Sequence, residues 1–158
     1  MAFGYPGGPK VDKLAKEGQA NIELPKSKIE GYDFSYSGIK TAVINLNHNK
    51  PDTNKADLCA SFQKTACQML TDNAFKAAEE LGLDKIVLAG GVAANSYIRE
   101  EFTRLGEEKD IKVYLPELQY CTDNAAMIAA AGYYSHLAGK KAELDLNAVP
   151  NLKIGEEG

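Results

Sequence analysis

The stretch "KIVLAGGVAANS", residues 85–96, runs from a short apolar strand into two glycines, then into small residues and an asparagine. Ile86, Val87, Leu88 and Ala89 form a continuous apolar run, the pattern of a strand buried inside an α/β sheet. Gly90 and Gly91 permit a sharp turn and leave no Cβ in the way of a ligand. Asn95 or Ser96 is suited to cap a following helix, whose free N–H groups suit an anion. On these residues alone, a plain strand-to-helix turn and a ligand loop both stay open. The spacing fits neither GxGxxG nor GxxxxGK followed by Ser or Thr, so neither nucleotide fingerprint applies.

Working outward, residues 56–81 carry the clearest helix. Leu58, Phe62, Ala66, Met69, Leu70, Ala77 and Leu81 fall on one stripe, with Lys64, Lys76 and Glu80 elsewhere and Gly82 as a stop. A second helix is expected from 95 to 105, a second strand in KVYLP (112–116) and a third helix from Asp123 to Leu137. This β-α-β order predicts an α/β layer fold with parallel pairing. Ligands in such sheets bind beyond the carboxyl ends of the strands, which singles out 89–91 and the stretch from Leu115 into CTDNAAM (121–127). Asp123, where a helix begins, would stay ionised and offer a hard oxygen to a cation; the competing reading is that Thr122 or Asp123 is only an N-cap.

Towards the N-terminus, a helix is expected from Lys10 to Glu17, between Pro9 and Gly18. Ahead of it, GYPGGP (4–9) reads as a turn stiffened by Pro6 and Pro9 and left open on one edge by Gly7 and Gly8. Phe34 to Ser37 alternate as a half-buried strand ended by Gly38, with Ser35 and Ser37 facing a ligand or water. Helical spacing follows at Ile39, Ala42, Val43 and Leu46, then a turn-rich loop over 47–55.

The 158 residues, 44% apolar and 25% charged, suit one soluble globular domain. A net charge of −4 argues against a free-standing nucleic-acid binder but leaves a local basic patch open. No apolar run approaches the ~20 residues of a membrane span, and no signal-peptide pattern opens the chain, so a cytoplasmic location is expected. Cys59, Cys67 and Cys121 form no CxxC pair and read as reduced, buried thiols. His48 and His136 share no ligand spacing, and GxSxG and HExxH are absent, so no catalytic residue is assigned within the chain.

GYPGGP (4–9), FSYSGIKTAV (34–43), ADLCASFQ (56–63), AGGVAANS (89–96) and CTDNAAMIAAAGYY (121–134), in this order, are far more specific than any one of them. Together they resemble the tRNA N6-adenosine threonylcarbamoyltransferase family, once labelled O-sialoglycoprotein endopeptidase or glycoprotease. The resemblance runs from Gly4 to Tyr134 and covers the C-terminal half of a family member, which implies an expressed fragment or a split gene. It implies one lobe of an actin-like, Hsp70-like (ribonuclease H-like) ATPase fold over residues 1–140, a mixed sheet flanked by helices. Residues 141–158 would be a loosely ordered tail.

The family transfers a threonylcarbamoyl group from threonylcarbamoyl-adenylate to N6 of adenosine 37 in tRNAs reading ANN codons. By resemblance, Gly8 and Asn95 contact the adenylate, an ATP-type nucleotide, beside Gly90 and Gly91, and Asp123 is one ligand of a single iron or zinc ion. The family's two HxxxH histidines are missing here, so the chain alone is expected to be inactive. tRNA would be held through the complete protein and its accessory proteins, and a homodimer of this chain is a weaker expectation. Competing readings are an ATPase or sugar-kinase lobe of the same superfold and a non-catalytic interaction module. Glycoprotease activity has no supporting motif.

Overall fold

A computed structural model describes residues 4–27 and 29–151, so the end of the expected tail lies outside the described residues. The chain divides into two compact units, Met1–Thr122 and Asp123–Gly158.

The first unit is organised around one long helix. Helix α3 spans Lys55–Glu80, and the Asn54 side chain starts it by accepting from the N–H groups of Ala56 and Asp57. Gly82, at φ +64°, lets the chain leave, and the Leu83 N–H bonds back to the Ala78 carbonyl at 2.8 Å. Helices α1 (Gly7–Ala15) and α2 (Ser37–Asn49) pack against α3. Beyond it come strand β1 (Lys85–Val87), a 3-10 turn (Gly91–Ala94), helix α4 (Ser96–Lys109), strand β2 (Lys112–Tyr114) and a second 3-10 turn (Leu118–Tyr120). The expected β-α-β unit is present. β1 and β2 pair in parallel, Ile86 opposite Val113.

Helix α4 crosses over one face of this pair. Cys67, Phe75 and Ala78 of α3 pack with Ile98 and Phe102 of α4 and with Ile111, and Ile86 and Val113 close the cluster from the sheet. The Phe75 and Phe102 ring centroids are 5.7 Å apart. The close approach of α4 to β2 requires Gly106: a Cβ there would lie 2.6 Å from a Val113 methyl and 2.7 Å from the Ile111 carbonyl oxygen.

Four expectations are corrected. Phe34–Ser37 is not a strand: among the described residues it pairs with no other strand, and Ser37 and Gly38 already belong to α2. Residues 19–27 and 29–36 are instead tied to α3 by side chains. Ser61 accepts from the Ile22 N–H, and Asn73 Nδ2 donates to the Tyr32 and Asp33 carbonyls at 2.8 and 3.0 Å. GYPGGP is not an open turn either, because Gly7 and Gly8 form the first turn of α1 behind Pro6. The buried strand KIVLA is three residues long, and its Val87 is 71% exposed. Finally, the single stripe on α3 is two-sided: Cys59, Cys67, Phe75 and Ala78 are buried, whereas Leu81 is exposed.

In the second unit, helix α5 (Ala125–Leu137) starts at Asn124, whose side chain accepts from the Met127 N–H at 3.0 Å. Asn124, rather than Thr122 or Asp123, is therefore the N-cap. None of the α5 residues is buried, and Met127, Ile128, Tyr133, Tyr134 and Leu137 are exposed. Among the described residues no helix is long and apolar enough to cross a membrane.

Candidate ligand-binding groove

The carboxyl end of β1 opens into a groove of about 830 Å³ within the first unit. Its walls include Gly8 of α1, Gln63 of α3, and Val87, Val92 and Asn95 from the strand and the turn after it. Tyr36 and Cys67 also line it. Burial, and next the neighbouring Cys67, raise the Tyr36 phenol above its ordinary range. Burial, then Glu101 and Asp72, push the Cys67 thiol up to about 12. A thiol held protonated is a poor nucleophile, so neither group is tuned for covalent or base chemistry at neutral pH.

The two glycines after β1 are bare for different reasons. Gly90 sits at φ 84°, ψ 169°, a region open essentially to glycine alone. Gly91 has no such constraint, and a Cβ there would make only an ordinary 3.8 Å contact with the Thr122 methyl. Gly8 is similar: a Cβ on it would meet nothing within 4 Å, although glycine in a helix costs about 1 kcal/mol relative to alanine. Neither backbone conformation nor packing explains glycine at positions 8 and 91.

Asn95 is the N-cap of α4, and Oδ1 accepts from the Ile98 N–H at 3.0 Å. Its Nδ2 donates to Gln63 Oε1 at 2.9 Å and to Asp12 Oδ1 at 3.2 Å. Both amide hydrogens are committed, which leaves a second lone pair of Oδ1 for a donor in the groove. Asp12 Oδ1 also accepts from Ser96 Oγ at 2.9 Å. This hub ties the helix that carries Gly8 to the loop that carries Gly91. Sequence reasoning missed Asp12 and Gln63. Asp12 lies one helical turn after Gly8, a spacing visible in the sequence, whereas nothing in the sequence alone pairs Gln63 with Asn95.

Asp123 belongs to the second unit and directly precedes the N-cap of α5. Among the described residues no three His, Cys, Asp or Glu side chains converge to hold a metal ion. One carboxylate does not fit a catalytic metal site, which takes about three protein ligands. His48 and His136 lie in the last turns of α2 and α5.

The family described as TsaD, tRNA N6-adenosine threonylcarbamoyltransferase, matches residues 1–130 of this sequence. The chain belongs to that family. Relatives bearing the same name include one from Carboxydothermus hydrogenoformans, 50% identical over 155 residues, spanning 97% of this chain and 46% of the relative. Another, from Clostridium perfringens, is 50% identical over 163 aligned residues, spanning 99% of this chain and 48% of the relative. This family member thus spans about half the length of the curated relatives it matches. The crystal structure of HypF from T. kodakarensis superposes with a TM-score of 0.65 and 21% identity over 87% of this chain and 18% of that one. At that identity the likeness is one of fold.

Proposed function

We propose that this chain is the C-terminal lobe of an enzyme that moves a threonylcarbamoyl group from threonylcarbamoyl-adenylate to N6 of adenosine 37 in tRNAs reading ANN codons. The lobe would be of the actin-like ATPase fold, over residues 1–140, with 141–158 as its tail, and would work in the cytoplasm. The observation that carries the reading is Gly8, bare in the groove wall although neither conformation nor packing demands glycine there, and joined through Asp12 and Asn95 to the turn that carries Gly91. Bare backbone there lets a nucleotide lie close, as it would where N–H groups at a helix start meet an anion. Val92 and the apolar floor of α3 would cover the base and exclude water, and the free lone pair of Asn95 Oδ1 would accept from a ligand hydroxyl or amino group.

Asp123 would supply one ligand to an iron or zinc ion whose remaining ligands come from outside this chain. When bound, that ion would supply Lewis-acid polarisation of the carbamoyl group. tRNA and accessory proteins would be engaged by the complete protein. The half-length span supports a lobe that needs a second one, and a homodimer of this chain is the alternative. The test is to supply the chain with a separately expressed N-terminal half of a relative and measure threonylcarbamoyl-adenosine in tRNA. Modification should require both halves. Multiple turnovers by the isolated chain would overturn the one-lobe reading, and light scattering distinguishes the homodimer.

A further inference from the structure

The side chain of Asn95 faces a choice that its own helix does not settle. Its oxygen caps α4 through the Ile98 N–H, a part-buried bond that by itself leaves the amide NH₂ without a fixed partner. Two acceptors lie on the opposite side of the amide. One is Asp12, which is shared with Ser96 and carries Lys16 at 4.0 Å from its other oxygen. The other is Gln63, which is 9% exposed and makes the shorter of the two bonds.

Gln63 is an unusual choice for its place. It stands on the groove side of α3 beside Phe62, Ala66 and Cys67, where an apolar side chain of the same length would pack without desolvating an amide. Two other buried polar residues of α3 bond differently: Ser61 accepts from the Ile22 N–H, and Thr71 donates to carbonyls of its own helix. The described partner of Gln63 is Asn95.

We infer that Gln63 is a positioning residue for Asn95: its carbonyl oxygen fixes the orientation of the Asn95 amide, so that Oδ1 keeps one lone pair on the α4 cap and presents the other to the groove. The inference rests on the groove reading above only for its consequence on ligand binding. The orientation itself is a property of the free chain.

The test uses the side-chain NH₂ resonances of Asn95 in nitrogen-15 spectra of the full chain, with adenosine monophosphate as the probe ligand. In the wild type, both Asn95 amide protons should exchange slowly with water. Q63M keeps the length but removes the acceptor; it should speed that exchange and weaken adenosine monophosphate binding about tenfold, the effect of losing one buried hydrogen-bond partner. Q63E retains an acceptor at the same reach and should restore slow exchange, which loss of packing alone does not predict. Q63M with unchanged Asn95 resonances would overturn the inference. Faster exchange with unchanged affinity would overturn the claim that this orientation serves the ligand. No binding by the wild type, with the resonance changes as expected, would sink the groove reading while supporting the role of Gln63.

Discussion

Replacing Gly90 and Gly91 one at a time separates the backbone reason for a glycine from the ligand reason. Gly90→Ala forces a side chain into φ 84°, ψ 169°, a strain of roughly 1–3 kcal/mol, even though no atom lies within 4 Å of the new methyl. At about 3 °C per kcal/mol for a domain of this size, the melting temperature should fall by roughly 3–9 °C. Gly91→Ala meets no such strain, and its methyl would make only a van der Waals contact with Thr122. By restricting the unfolded chain it should stabilise by about 0.4–1 kcal/mol, a rise of roughly 1–3 °C. The methyl would occupy backbone surface on which the nucleotide is proposed to lie. Overpacking of about 1–3 kcal/mol corresponds to roughly 5- to 150-fold weaker adenosine monophosphate binding. Thermal melts and a chemical-shift titration of both variants measure the two quantities. Equal destabilisation by both substitutions would refute the division of roles. A stable Gly91→Ala variant that binds as the wild type does would refute the ligand loop.

Two further predictions concern the core beneath the groove. Folding holds the Cys67 proton from the usual 9.0 up to about 12, so the folded state binds more protons than the unfolded state across that window. The contribution is intact below about pH 9 and lost as pH rises towards 12, on the order of 4 kcal/mol in full. Urea midpoints at pH 8 and pH 10.5 should diverge more in the wild type than in Cys67→Ala, and parallel pH profiles would count against it. Phe102→Ala removes the ring packed on Phe75 and should destabilise by about 3–5 kcal/mol in urea unfolding, and a loss below about 1 kcal/mol would contradict the core assignment.

The parts legible in the sequence are those set by local rules. The long helix, its glycine stop, the β-α-β order and the cap at Asn95 all follow from residues within a few positions of one another. The strand expected at 34–37 fails because alternation in the sequence does not say what pairs with the backbone. Phe34 and Tyr36 do alternate with serines, and their rings meet edge to face at 5.4 Å. Their backbone, however, follows an extended segment held by Asn73 and by the Tyr32 hydroxyl donating to Glu80 at 2.8 Å. A helix surface takes the place of a neighbouring strand, and no spacing rule reveals it. Likewise, Gly8 and the Gly90–Gly91 turn stand out in the sequence, but Gln63 and Asp12 do not, because their role depends on three helices meeting at one asparagine.

The expectation of a buried β1 fails in a more informative way. Parallel strands are ordinarily covered on both faces, and their sequences read as continuous apolar runs for that reason. Here Ile86 and Val113 face α4, while Val87 is 71% exposed and Tyr114, its partner in register, is 41% exposed. Helix α5 presents the same conflict: its composition is that of a buried helix, yet Ile128, Tyr134 and Leu137 are all more than 60% exposed. Apolar patterning reflects the surroundings in which a sequence works. Where such a pattern meets an open surface, as at β1, the simplest physical account is a cover supplied by a further polypeptide surface. On the proposed reading that cover is the second lobe. The open face of β1 lies beside the carboxyl end of the strand, where the groove begins, so the same missing surface would shield the sheet and close the site over its nucleotide.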